Sequence, residues 1–240
     1  MNLHPRSSTG SHWLVGLFLL LGTLCFSAAA QEKSVKPGIN DNFKKADLQV
    51  EEWVERFETE SREVFAHRRE IVEAAGIKEG DAVADVGAGT GLFTKLFAEK
   101  VGEKGKVLAV DIATPFLANI HKRAEAAGLK NVETILCTDR NARIPRESVD
   151  VVFICDTYHH FEYPQSTMAS IHWGLKPGGT LVVIDFHRIE GKSSEWTLNH
   201  VRAGQDVFEK EIEAAGFEKM PGPQPEYLKE NYLVKFRKKS

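Results

Sequence analysis

The run Val83-Ala84-Asp85-Val86-Gly87-Ala88-Gly89-Thr90-Gly91 constrains the fold of this 240-residue chain more than any other stretch. A short apolar strand leads into a G-x-G-x-G turn, with an acid two residues before the first glycine and an amphipathic helix, Leu92 to Lys100, directly after it. A turn of this kind points backbone N–H groups at a ligand lodged at a helix N-terminus. Glycines at 87 and 89 permit positive φ and close backbone approach, and Gly91 lets the helix pack tightly against the strand. The spacing differs from the dinucleotide fingerprint G-x-G-x-x-G, because Leu92 stands where the third glycine belongs. A nicotinamide oxidoreductase is further disfavoured because no Tyr-x-x-x-Lys proton relay falls on a helix.

The rest of the chain repeats the same unit. Val107 to Val110 reads as a second buried parallel strand and ends at Asp111, 24 residues after Gly87. An acid at that strand tip can accept hydrogen bonds from both hydroxyls of a ribose, and Ile112 is placed to pack on an adenine face. Thr114-Pro115 predicts a helix start, with Thr114 as the N-cap hydroxyl and Pro115 at the first helical position, and Gly128 as its stop. Val132 to Leu136 is a third strand, followed by Thr138-Asp139-Arg140, and Asp150 to Asp156 is a fourth. Leu175-Lys176-Pro177-Gly178-Gly179 feeds a fifth strand ending at Asp185; Glu213 to Gly216 closes the last helix, and Tyr232 to Phe236 alternates as a final strand. Strands alternating with helices predict an open, mostly parallel sheet covered on both faces, with ligand at the strand carboxyl ends.

Taken together, these motifs from Ile71 to Arg237 resemble the class I S-adenosylmethionine (SAM)-dependent methyltransferases. The resemblance implies a Rossmann-like α/β fold with seven strands, the last reversed. It implies a cofactor site in which Asp85, Gly87, Gly89 and Gly91 form the loop, Asp111 and Ile112 hold the adenosine, Asp139 binds the adenine amino group and Asp156 lies beside the methionine part. Arg140 stands where the family more often has a small residue, and its backbone N–H would face the adenine. Helices ahead of the first strand, 48 to 75, would form a lid, with Glu60, Arg62, Glu63, Arg68 and Arg69 either reaching the cofactor or forming a solvated charged face. A methyltransferase fold kept only as a SAM-binding module is the alternative to an enzyme.

The methyl acceptor has to be read from Thr157-Tyr158-His159-His160-Phe161-Glu162-Tyr163-Pro164. His159 and His160 are the candidate catalytic residues, either as a general base or as residues that order the loop. His187, Trp196 and His200 are candidate acceptor-pocket residues or packing residues, and His172 and Trp173 fall on a helix whose apolar face turns to the sheet. The histidine spacing matches no zinc motif, so no metal is expected. The Asn-Pro-Pro-Tyr type signature is replaced by Asp156-Thr157-Tyr158-His159, which favours a small organic acceptor methylated on oxygen, nitrogen or carbon.

The N-terminus carries a separate signal. A polar start with one arginine, the apolar run Trp13 to Phe26 and Ala28-Ala29-Ala30 before Gln31 make residues 1–30 a secretory signal peptide, with an uncleaved membrane anchor as the alternative. The expected organisation is therefore signal 1–30, flexible linker 31–47 and a methyltransferase domain at 48–240, exported and with no stable membrane insertion after cleavage. With 31 basic and 34 acidic residues and no basic stripe beyond Lys235-Phe236-Arg237-Lys238-Lys239, nucleic acid is not the expected partner. Cys137 and Cys155 fall on separate strands and are expected to be reduced thiols.

Overall fold

The computed structural model describes residues 1–2 and 33–239; the signal segment expected at 1–30 lies, beyond its first two residues, outside the described residues. Three short helices come first, α1 Val50–Phe57, α2 Glu63–Ala66 and α3 Arg68–Ala75. Then follow β1 Ala82–Val86, α4 Leu92–Val101, β2 Lys106–Asp111, α5 Thr114–Ala126, β3 Val132–Leu136 and β4 Val149–Cys155. A 3-10 turn, Tyr158–His160, leads to α6 Pro164–Gly174, β5 Leu175–Phe186, α7 Glu195–His200, α8 Gln205–Ala214, β6 Phe217–Lys219 and β7 Asn231–Lys238. The sheet has the order β3-β2-β1-β4-β5-β7-β6, parallel through its first five strands, with β7 antiparallel to both β5 and β6. This is the Rossmann-like α/β architecture anticipated from the alternation of strands and helices.

Alternation along β4 shows why the sheet is sandwiched. Val152 and Ile154 join one core with Leu108, Val110, Met168, Ile171 and Phe208, while Val151 and Phe153 join the opposite core with Ile71, Phe93, Phe97 and Val182. Period-2 burial on both faces needs helices on both sides, and α6 and α8 cover one face while α3 and α4 cover the other. Truncating the fully buried Phe153 to alanine would cost about 3–5 kcal/mol.

The strand order reverses at β1, whose neighbours are β2 on one side and β4 on the other. A crevice opens at the carboxyl ends there, because the connections from β1 and β4 leave over opposite faces. Three local expectations change. Thr114 is the first helical residue rather than the cap; Ala113 caps α5, and its N–H donates to Asp111 Oδ1 at 2.8 Å instead of to a hydroxyl. Gly91, in the left-handed region at φ 87°, is required by α5 rather than by the strand: a Cβ there would lie 2.7 Å from Ile120 Cγ1. Residues 33–47, expected as a flexible linker, form successive turns packed over the crevice, held by the polar contacts described next.

Candidate functional site

Beneath α1 and the 33–47 arm, the crevice is a cavity of 610 Å³ running from the glycine loop to the β4 and β5 tips. At its floor the Gly89 N–H donates to Asp111 Oδ2 at 2.8 Å, so the β2 tip holds the glycine loop in place. The loop residues Gly87 and Gly89 both have positive φ, 75° and 54°. A Cβ on Gly87 would collide with Thr157 Cγ2 at 2.2 Å, whereas a Cβ on Gly89 would meet nothing closer than the lid's Phe57 ring at 3.8 Å. A Cβ on Gly89 would thus sit in ordinary contact with the Phe57 ring, part of an aromatic roof of Phe43, Trp53, Phe57 and Phe116 over the cavity.

Each acid assigned to the site from sequence reaches the cavity, in a different environment. Asp85 is buried and accepts from Thr94 Oγ1 at 2.6 Å; burial, together with the charge of Asp111, pushes its pKa up to about 7. Burial also raises Asp111, against the backbone N–H donors of Ala113, Gly89 and Ile112 that favour its charged form. Ile112 lines the cavity beside it. The Asp139 carboxylate is engaged by the arm, with Lys44 Nζ at 2.9 Å and Asn40 Nδ2 at 3.5 Å. Arg140 does not line the cavity: its guanidinium sits 3.5 Å from the centre of the Tyr163 ring, and its N–H donates to Thr138 Oγ1 at 3.4 Å.

Asp156 adopts φ 48°, a conformation costly for a residue with a Cβ, at the tip of β4. Burial raises its pKa to about 6 although the Arg62 guanidinium binds it directly, and Asn231 Nδ2 donates to its other oxygen at 2.6 Å. The lid is tied down at two further points. Glu63 accepts the N–H groups of Lys229, Glu230 and Asn231 at 2.7, 2.9 and 2.6 Å. Glu58 pairs with both terminal nitrogens of Arg123, which also donates to the Thr90 carbonyl at 3.0 Å. Of the five charged lid residues singled out from sequence, Arg62 and Glu63 face the site; Arg68 pairs with the exposed Glu60.

The acceptor end is built from histidines. His159 is 1% exposed; its Nδ1–H donates to Asp185 Oδ1 at 2.7 Å and its backbone N–H to Asp185 Oδ2 at 3.0 Å. A carboxylate only accepts, so the imidazole lone pair is left on Nε2. His160 Nε2 lies 3.3 Å from His200 Nε2, and His160 Nδ1 is buried without a partner. Burial, then the neighbouring His159 and His200, drive the His160 pKa down to about 2; burial, His159 and Lys36 bring His200 to about 4. Trp196 stacks on His200 at 4.6 Å, and Phe43 meets His160 edge-on. His187 is not in the lining; it packs near Tyr232, while His172 packs on Phe217.

Two findings go beyond the sequence reading. The spacing of the histidines along the chain matched no metal motif, yet His159, His160 and His200 bring one ring nitrogen each to within 4.8 Å of one another. The arm at 33–47 is a wall of the site: Asn40 is buried and donates to the His160 carbonyl at 3.0 Å, and Lys36 caps the end of α7 through the Asn199 and His200 carbonyls. Polar composition and Pro37-Gly38 hid this role, since each partner is distant in sequence. Cys137 and Cys155 are free thiols, separated by β2 and β1.

A glycine loop tied to an acid at the next strand tip, at the switch point of a β3-β2-β1-β4-β5-β7-β6 sheet, defines a Rossmann-like α/β fold with its ligand site at the strand carboxyl ends. Residues 83–179 match the family described as methyltransferase domain. The chain is 30% identical over 123 residues to the ubiquinone/menaquinone biosynthesis C-methyltransferase UbiE of Hydrogenovibrio crunogenus, covering 51% of this chain and 48% of that protein. It therefore spans about half the length of such relatives. Among solved structures it is similar to a SAM-dependent methyltransferase from Aquifex aeolicus, with TM-score 0.68, 27% identity and coverage of 78% of this chain and 97% of that one. The [4+2]-cyclase SpnF, at TM-score 0.61 and 17% identity over 71% of this chain and 79% of that one, shares the fold alone.

Proposed function

We propose that the protein is a SAM-dependent methyltransferase acting on a small, planar organic acceptor. The observation that carries this reading is the continuity of the cavity: one space joins the Gly89–Asp111 cradle to the histidine cluster, with room for cofactor and acceptor end to end. The residues present fit the cofactor. Asp111, at the tip of β2 with backbone N–H groups holding its carboxylate in place, is set to accept ribose hydroxyls, Ile112 offers an apolar edge, and Gly87 and Gly89 keep the loop backbone bare toward the cavity. Bound SAM supplies a methyl group on a positively charged sulfur.

The chain's own contribution is placement. Methyl transfer is an in-line displacement whose barrier falls when the acceptor atom is held at the right distance and angle, and a dry cavity strengthens every polar contact. Phe43, Trp196 and Phe186 supply flat apolar walls for a ring-shaped acceptor, while His159, oriented by Asp185, offers Nε2 as a proton acceptor. Of the two candidates His159, held by Asp185 through Nδ1–H, fits the acid–base role, and His160, with Nδ1 buried and Nε2 against His200, the role of ordering the site. The quinone-pathway relatives and the aromatic walls agree in favouring a planar acceptor over nucleic acid.

Calorimetric titration with SAM, S-adenosylhomocysteine and NAD, followed by a methyl-transfer assay on phenolic and quinol-like compounds, tests the reading. Binding of the sulfonium pair without NAD supports it, and turnover establishes the enzyme. Absence of any SAM binding overturns it, and binding without turnover on any acceptor favours a binding module. We further propose that residues 1–30 direct export, a reading supported by the apolar run and the Ala28-Ala29-Ala30 site. A mature N-terminus at Gln31 would support it, and an intact Met1 terminus on the membrane would replace it with an anchor. Among the described residues, no helix is long and apolar enough to cross a membrane.

A further inference from the structure

We propose that His159, His160 and His200 form a three-histidine site for a divalent transition-metal ion at the acceptor end of the cavity, with one coordination position left facing the cavity for an oxygen of the acceptor. The acceptor role rests on the methyltransferase reading; the metal site itself does not, and with an ion bound the His159 Nε2 lone pair is a ligand in place of the proton acceptor described above.

The geometry is that of a ligand set. In a tetrahedral site with metal–nitrogen bonds of about 2.0–2.1 Å, neighbouring ligand nitrogens stand about 3.3 Å apart. His160 Nε2 and His200 Nε2 are 3.3 Å apart, and one ring nitrogen from each of the three histidines lies within 4.8 Å of the other two. Direct contact between two uncharged imidazole nitrogens satisfies both only as a single N–H···N hydrogen bond. An ion between them takes up both lone pairs at once.

The surroundings supply what a metal site requires beyond its ligands. Asp185 receives His159 Nδ1–H at 2.7 Å, an arrangement that fixes the tautomer and aims Nε2 as the ligating atom. Asp185 is itself held by the backbone N–H groups of His159 and Phe186, so the orienting carboxylate cannot swing away. The Trp196 ring stacked on His200 and the edge of Phe43 on His160 give the ligands an apolar surround. The 3-10 turn sends two consecutive side chains toward the β5 tip and toward α7, which explains how adjacent histidines and one 40 residues away converge.

The donor chemistry selects the ion. Three imidazoles without carboxylate or thiolate suit zinc, cobalt, nickel or copper and offer little to magnesium or calcium. Three protein ligands with an open fourth position are the pattern of a reactive metal centre rather than a closed structural one. All three histidines line the cavity, so the open position faces the space assigned to the acceptor. A phenol, enol or similar oxygen donor would be fixed there in orientation relative to the cofactor.

The test uses the untagged full chain, stripped of metal with a chelator and titrated with Zn2+ against a chromophoric competitor and with Co2+ by visible absorption. One equivalent of each metal is expected to bind, with micromolar or tighter affinity. His200→Ala and His160→Ala should weaken binding about 100-fold or more, Asp185→Asn about 10–100-fold, and the surface variant His121→Ala should leave it unchanged. Equal Zn2+ affinity in the wild type and His200→Ala, or no stoichiometric binding in the wild type, overturns the site in favour of a simple histidine hydrogen bond. SAM affinity is measured on every variant: retained SAM binding with lost Zn2+ binding shows an intact pocket, and Zn2+ binding without SAM binding would sink the cofactor reading alone. If a variant fails to fold, X-ray absorption of the Co2+-loaded wild type decides, since a shell lacking three imidazole nitrogens overturns the proposal.

Discussion

The Gly89 N–H and the Asp111 carboxylate meet at 2.8 Å, joining the loop after β1 to the tip of β2. The same carboxylate accepts the Ala113 N–H, so one side chain sets both the glycine loop and the start of α5. Replacing Asp111 with alanine removes two charge-assisted hydrogen bonds and the proposed ribose acceptor. SAM affinity should fall by at least about 10–100-fold, read by calorimetry, because each such bond contributes about 1.5–3 kcal/mol. Unchanged affinity would remove Asp111 from the cofactor site.

Gly87 is fixed by Thr157. Gly87→Ala places a Cβ 2.2 Å from Thr157 Cγ2 at a residue with φ 75°, so overpacking and backbone strain add. The expected loss is about 2–4 kcal/mol, or about 5–15 °C in Tm for a domain of this size. The double variant Gly87→Ala, Thr157→Gly should regain a large part of that loss. If it regains nothing, the collision is not what makes the position glycine.

Arg62 holds the lid on Asp156. Arg62→Gln deprives a buried carboxyl of its cation, so Asp156 should titrate above its present value of about 6. Amide hydrogen exchange over residues 50–66 should accelerate in the SAM-free protein, because the strongest polar tie between lid and β4 is lost. Wild-type exchange rates in that segment would show that Glu63 and Glu58 suffice to hold the lid.

Asp85 makes stability pH-dependent in a defined direction. Its folded pKa of about 7 lies above the ordinary carboxylate value, so the folded state favours the protonated form. The contribution is therefore present below about pH 4 and is lost as pH rises toward and through about 7. Asp85→Asn keeps an acceptor for Thr94 Oγ1 and removes the charge, so its Tm relative to wild type should climb between those limits in the SAM-free protein. Parallel Tm curves for the two proteins across that window would mean that Asp85 is ionised at no cost.

Short-range physics made much of this molecule readable along the chain. The β1 loop, the Asp111 strand tip, the helix stop at Gly128 and the period of each strand depend on residues within a few positions of one another, where positive φ, capping and burial leave a local signature. Asp85, Gly87, Gly89, Asp111 and Ile112 could be placed together because strand ends of a parallel sheet must converge at the switch point. Tertiary structure decided the rest. The Arg62–Asp156 pair joins residues 94 apart in sequence, the His160–His200 contact 40 apart, and the Lys44–Asp139 contact 95 apart. None of these has a periodicity to betray it, since a polar side chain finds such a partner only after the apolar sheet has fixed where the two backbones lie. The histidine cluster is the clearest case: residues whose spacing along the chain matches no metal motif are brought together only because β5 places Asp185 beside His159 and α7 places His200 against His160.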